Sequence, residues 1–270
     1  MRNAVFAVAL LSVLAGSARA DGDYFSPTED RVRISLGVTQ TSATTSFQLD
    51  PSSGSPGAVI DAENTLGLDR KQLDPEFEVE VRAGERSRLR INYSALDRDD
   101  THTLTTGPLV YGNSTLLAGY PVQTDLSIRA FGITYGYSFI RNDKVELAAT
   151  LGVTDADIES RLRVETASTH IDISHSFAGP FPIPGFEATW VLSKRFYIDA
   201  HAQYLKAAIH QLGASTSQYE LNALYRLRPN ISFALGFSSL TSDLTSRKSG
   251  TAGFADFSAR GPLLFVRVAF

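Results

Sequence analysis

Val266-Arg267-Val268-Ala269-Phe270 alternates along its length and finishes on an aromatic ring. In a strand, residues two apart share a face, so Leu264, Val266, Val268 and Phe270 project one way and Arg267 the other. The same period of two recurs upstream, broken by turn clusters. Val32, Ile34, Leu36 and Val38 oppose Arg31, Arg33 and Ser35. Phe77, Val79 and Val81 oppose Glu76, Glu78, Glu80 and Arg82, and after Gly84-Glu85 come Leu89, Ile91 and Tyr93 against Arg88, Arg90 and Asn92. A fourth segment, near 124–140, shifts its apolar face around Ala130-Phe131, which reads as a bulge or an inward aromatic. Val145 to Val153, Phe186 to Leu192, Phe196 to Ala202, Tyr219 to Tyr225 and Ile231 to Phe237 continue the pattern. The total is about ten strands.

Connections alternate in length. Short ones lie near 84–87, 141–143, 193–195 and 228–230; long ones lie near 50–73, 99–123, 157–184 and 242–258, with 211–216 as the exception. Both ends of the sheet then fall on the short-turn side, which requires an even strand count: ten, with eight or twelve as the alternatives. Tyr137, Phe139, Trp190, Phe196, Tyr225, Phe233 and Phe270 gather beside the short turns, as in an interfacial aromatic girdle.

Met1-Arg2-Asn3, the apolar run Ala4 to Ala15 and Ala18-Arg19-Ala20 read as a secretory signal cleaved after residue 20. Its loss takes the formal charge from -4 to -6, because Arg2 and Arg19 go with it. The remaining 21–270 reads as one all-β domain. No later run is long and apolar enough for a transmembrane helix. Lipid tolerates only helices and closed barrels, since each backbone amide must find its partner within the protein. A near-zero mean hydropathy suits a wall with one apolar and one polar face. The chain has no cysteine, so disulfides and thiol chemistry are excluded. Nothing in the charge points to nucleic acid.

Ala18-Arg19-Ala20 at one end and Arg260-Gly261-Pro262-Leu263-Leu264-Phe265 running into the Phe270 strand at the other resemble small Gram-negative outer-membrane β-barrel proteins. The resemblance spans the mature chain as a pattern and selects no subfamily. It implies an antiparallel up-and-down transmembrane barrel in the cell outer membrane. It also implies contact with lipid and lipopolysaccharide, and recognition of Phe270 and the last strand by the barrel assembly machinery. It implies no cofactor, and oligomeric state is left open.

The opposite face supplies the lumen candidates: Arg33, Glu76, Glu78, Glu80, Arg82, Arg88, Arg90, Arg129, Glu146, Glu187, Asp199, His201, Glu220, Arg226 and Arg267. Glu76, Glu78 and Glu80 face Arg88 and Arg90 across a hairpin. This arrangement gives cross-strand ion pairs on the lumen wall, a charged pore lining or, least of the three, paired carboxylates for acid–base work. The leading expectation is a non-enzymatic barrel with a structural, loop-presenting or narrow small-solute role. The alternative is an outer-membrane hydrolase using loop His, Ser and Asp residues, because barrel lipases and proteases use such sets. Ser168 to Ser176 holds His170, Asp172 and His175, yet its spacing matches neither a metal motif nor a catalytic one. Asp97, Asp99 and Asp100 form an acidic knot, read chiefly as a solvated loop start. In the first long loop, Val59 to Leu68 is partly apolar and is expected to fold over or into the barrel mouth.

Overall fold

The computed structural model describes residues 26–52, 55–165, 170–209, 211–247 and 252–270, with backbone alone at 175–178, 209 and 212. The signal segment, 1–20, lies outside the described residues. After a 3-10 turn at Pro27–Glu29 come β1 Val32–Leu49, β2 Ile60–Asp61, β3 Lys71–Arg82, β4 Ser87–Thr103, β5 Leu109–Tyr111, β6 Ser114–Leu116 and β7 Pro121–Arg141. Then follow β8 Val145–Glu165, β9 His170–Val191, β10 Phe196–Ile209, β11 Leu212–Arg228, β12 Ile231–Ser246 and β13 Gly253–Ala269. Ten long strands, β1, β3, β4 and β7 to β13, pair antiparallel in chain order, and β13 returns to β1 in the register Arg33↔Ala269 to Leu49↔Gly253. The sheet closes into a barrel. Its seam at the chain end is fixed by the Phe270 carbonyl, which accepts from the amides of Arg31 at 2.6 Å and Val32 at 3.0 Å. The tight β3–β4 turn places Gly84 at φ 135°, a conformation that a side chain would strain.

The strands are longer than a membrane needs. β8 has 21 residues; at about 3.3 Å each and a tilt near 45° it climbs about 50 Å, against an apolar band about 25 Å tall. Its side chains show what happens to the excess. Val145, Leu147, Ala149, Leu151 and Val153 face outward; further up the same face come Asp155, Asp157, Glu159, Arg161, Arg163 and Glu165. The inner face runs the other way, from buried Glu146 to buried Leu162 and Val164. In its lower half the barrel is polar within and apolar without. In the upper half, β7 and β8 are apolar within and polar or charged without, like the wall of a water-soluble barrel.

β7 repeats the reversal and corrects the sequence reading. Its alternation is unbroken from Pro121 to Ser138: Leu126 and Ile128 point inward, and Phe131, Ile133, Tyr135 and Tyr137 point outward. No bulge lies at Ala130-Phe131. The register slips lower down, between Ser138 and Ile140, where Phe139 and Ile140 are both exposed. The apolar residues changed sides because the solvent around the barrel changes from lipid to water. For the same reason 157–184 is not a loop. Its described residues, 157–165 and 170–184, are strand in β8 and β9, most of them extended beyond the apolar band, and most of 242–258 is likewise strand. Nearly all of the 211–216 connection is strand, since β11 begins at Leu212 and pairs there with Ile209.

The first long loop folds into the wall and over the mouth. β2 pairs with β1 at Phe47↔Ile60, above the point where β3 ends. Ile60, Leu66, Leu104, Tyr111, Leu116, Val122, Leu162 and Val164 form a cap core that includes the β5–β6 hairpin. Phe47 meets Tyr111 edge to face at 5.4 Å, and burial pushes the Tyr111 hydroxyl up to about 12. The loop is anchored by a buried ion pair, Arg98 to Glu63 at 2.5 Å, and by Arg98 donating to Thr45 Oγ1 at 3.0 Å and the Asp69 carbonyl at 3.1 Å.

Candidate functional site: a charged floor beneath an apolar cup

The lower lumen is crossed by ion pairs. Arg88 on β4 reaches Glu187 on β9 at 2.7 Å, and Arg90 on β4 reaches the other oxygen of the same carboxylate at 2.7 Å. Arg82 on β3 binds Glu146 on β8 through both nitrogens, at 2.9 and 2.8 Å. Arg267 on β13 binds Asp199 on β10 and donates to Ser35 Oγ at 3.0 Å. Arg33 pairs with Glu80 at 3.1 Å, and Arg226 pairs with Asp30 at 2.9 Å. Same-hairpin contacts are looser, with Arg88–Glu80 at 4.0 Å and Arg90–Glu78 at 3.8 Å. The guanidiniums therefore reach mainly across the barrel rather than along its wall.

These links join Arg33, Arg82, Arg88, Arg90, Arg226 and Arg267 to Asp30, Glu78, Glu80, Glu146, Glu187 and Asp199. Six positive charges meet six negative ones, so the layer carries little net field. Desolvating so many charges is tolerable only because each is paired. Arg90 also contacts His201 Nδ1 at 2.9 Å. Glu76 accepts from Thr39 at 2.5 Å, and Glu220 accepts from Asn222 at 2.5 Å. Tyr197, Leu224, Ala234, Leu263 and Phe265 pack an apolar cluster beside the ion layer, and the Arg267 guanidinium lies 5.1 Å from the Phe265 ring centre.

Above this floor lies a cavity of about 820 Å³. Leu126, Ile128, Ile158, Leu162, Ile183 and Leu240 are among its walls; Glu76, Glu78, Arg90, His201, Glu220 and Arg267 look up into it from below. A space of this size is in the range of small-molecule sites.

Of the sequence candidates, one is misplaced. Arg129 is exposed and shares the outer face of β7 with Phe131, opposite Ala95 in the register. It sits above the apolar band, where the outer wall is charged. The remaining candidates project to the inner face, the best paired of them in the crossing layer. Ser168 and Thr169, and the side chains of His175 and Ser176, lie outside the described residues. His170 is exposed, and Asp172 is held on the outer face by Arg161 Nε at 2.9 Å. In the acidic knot, Asp97 accepts from Ser127 Oγ at 2.6 Å. Among the described residues no three metal-ligating side chains converge.

Sequence reasoning missed three elements. Asp30, which precedes the first strand, ties Arg226 and lies 3.5 Å from Arg33. The apolar cup escapes a sequence reading because its inward leucines and isoleucines look like lipid belt or loop until the reversal of the wall is known. Pro180, Pro182 and Pro184, at every second position of β9, are visible in the sequence as a triplet, but prolines so spaced read as a loop.

No family model and no curated protein sequence matches the chain. Among solved structures it is similar to the outer membrane protease OmpT from Escherichia coli, with a TM-score of 0.58 and 10% identity, over 90% of this chain and 100% of that one. It is also similar to the translocator domain of autotransporter NalP from Neisseria meningitidis, with a TM-score of 0.47 and 10% identity, over 99% and 98% of the two chains. At such identity the likeness is one of fold, and a proteolytic activity does not come with it. The chain has the fold of a small outer-membrane β-barrel, with an apolar belt around its lower half.

Proposed function

We propose that this barrel is non-conducting and non-enzymatic, and that it binds a small apolar molecule in its upper lumen. One observation carries the reading: the lumen is divided into a lower layer of mutually neutralised ion pairs and an upper cavity lined mostly by apolar groups, with Thr39, Gln203, Thr216, Gln218 and Ser238 as polar points on its β1 and β10–β12 sides. A pore needs a continuous wet path, and Arg88, Arg90 and Glu187 stand across it. An apolar void of this size is costly to leave unfilled, since its walls lose dispersion contacts. An apolar ligand would restore those contacts, and the loop and hairpin cap would keep water from competing.

Two measurements on refolded protein test this. In planar bilayers the chain is expected to give no stepwise conductance. In phosphatidylcholine vesicles it is expected to bind the apolar fluorophore N-phenyl-1-naphthylamine saturably, at one site per chain. Regular conductance steps contradict the closed floor, and a non-saturable signal no greater than that of empty vesicles contradicts the cup.

A further inference from the structure

The wall is not laddered all the way up. β9 pairs with β10 only from Val191↔Tyr197 to Gly185↔Gln203. Above that level both strands continue. β9 stays paired to β8 as far as His170↔Glu165, and β10 stays paired to β11 as far as Ile209↔Leu212. The seam between them is therefore a local parting, flanked by intact sheet on both sides.

The sequence of β9 explains where the ladder stops. The Leu192 amide donates to the Phe196 carbonyl at 2.9 Å, toward β10; the Val191 amide donates to the Lys144 carbonyl at 2.7 Å, toward β8. Amides alternate along a strand, and the β8–β9 register has no slip, so even-numbered positions of β9 turn their amides to β10. Pro184, Pro182 and Pro180 occupy three such positions in succession and have no N–H to offer. Pairing ends at Gly185, one residue before the first of them is reached. Proline within a sheet belongs on an edge, and here the triplet makes an edge inside a barrel.

A second parting shows the contrast. β3 and β4 separate above Glu76↔Ser94, although β4 runs on to Thr103. That gap is filled by the first long loop: Glu63 and the Asp69 carbonyl hold Arg98, and Gly67 packs so closely on Asp100 and His102 that a Cβ there would lie 2.6 Å from the Asp100 carboxylate. Among the described residues, no strand is laddered into the β9–β10 seam.

The seam meets both the cavity and the lipid. Pro180, Phe181, Pro182 and Ile183 line the cavity from one side, and Leu205 and Ala207 line it from the other. On the neighbouring strand Pro184 and Pro182 pair with Leu151 and Val153, the last exposed apolar residues before Asp155. Across the seam Tyr204 is exposed on the outer face of β10. The parting thus begins within the top of the apolar belt, at the depth of the outer leaflet.

We propose that the β9–β10 seam is a lateral portal, through which an uncharged apolar molecule dissolved in the outer leaflet enters the upper lumen without crossing water. The inference rests on the binding role proposed above and adds the route and the phase from which the ligand comes.

The chain lacks cysteine, so paired cysteines can staple the seam cleanly. Pro182→Cys with Lys206→Cys would be register partners if the ladder continued, and a short bis-maleimide can bridge them. Ala188→Cys with Ala200→Cys, already paired in the ladder, is the control. Transfer of N-phenyl-1-naphthylamine from phosphatidylcholine vesicles is followed by stopped flow. Bridging 182 to 206 is expected to slow loading by about tenfold or more while saturable binding at equilibrium is kept, as a closed gate lowers an association rate. Bridging 188 to 200 should leave the rate unchanged. The triple variant Pro180→Val, Pro182→Val, Pro184→Val, which restores the three donors, should slow loading in the same direction without any cross-linker. Undiminished loading in both the bridged 182–206 pair and the valine triple, with binding intact, overturns the portal alone. Absence of saturable binding in the unbridged protein overturns the cup, and the portal with it.

Discussion

Glu187→Leu is expected to destabilise the barrel by about 3–5 kcal/mol, the usual cost of removing one partner from a buried charge pair. Glu187 is the point where Arg88 and Arg90 converge, each at 2.7 Å on a different oxygen. Its loss leaves two guanidiniums buried, and the nearest substitutes are distant: Arg88 has Glu80 at 4.0 Å and Glu146 at 3.7 Å, and Arg90 has Glu78 at 3.8 Å. The layer, otherwise neutral, also acquires one uncompensated positive charge in a lumen sheathed by lipid. Urea unfolding in phosphatidylcholine vesicles reads the effect. Arg129→Leu is the contrast. Arg129 is exposed above the belt and should shift stability by no more than about 0.5 kcal/mol. A loss below about 1 kcal/mol for Glu187→Leu would mean that the crossing pairs are solvated and the floor is not dry.

Ala156→Trp is expected to abolish saturable binding of the fluorophore while leaving stability within about 1 kcal/mol of the parent, because the indole enters open space instead of packed core. Ala156 pairs with Ala130 on the inner face of β7–β8, and both line the cavity. Ala148→Trp, eight positions lower on the same face, is the counterpart. Ala148 is fully buried beside the ion layer, and the same ring there should cost about 1–3 kcal/mol by overpacking. Equal costs at 148 and 156 would show that the upper lumen is filled in the folded protein. Retained binding in Ala156→Trp would move the ligand elsewhere.

The lower half of the barrel was legible in the sequence, and the upper half was not, for one physical reason. In β13, Leu264, Val266, Val268 and Phe270 face lipid while Arg267 faces the lumen, so alternation alone orients the strand. The lower part of β8 is equally direct. Above Val153 the outer environment becomes water, so carboxylates and arginines take the outward positions and leucine and isoleucine move inside. A reading that equates apolar with outward then sees a bulge in β7, a loop at 157–184 and a lumen role for Arg129. The opposite phase of Leu126 and Ile133, or of Leu151 and Leu162, was the available sign.

The site divides the same way. The charged residues of the floor were identifiable by type and face, but their partners were not, since Arg88 and Glu187 meet only when β4 and β9 come opposite each other across a closed barrel. The Glu63–Arg98 bond depends on a loop re-entering the wall, which no local pattern encodes. Pro180, Pro182 and Pro184 carry their message locally, in three missing donors on one edge. Reading it required knowing that the segment was a strand with two neighbours.

The reversal of the wall halfway up is what places the charged floor in the membrane, the cup above it and the seam between them, and spin labels along β8 measure it directly. Labels placed singly at Ala149, Leu151, Val153, Asp157 and Glu159 in vesicles should divide in two. The first three should be relaxed by lipid-dissolved oxygen, and the last two by a water-soluble nickel chelate, with the crossover just above Val153. Oxygen-dominated relaxation continuing through Asp157 and Glu159, or lipid contact at Ala156 and Ile158 instead, would contradict the account.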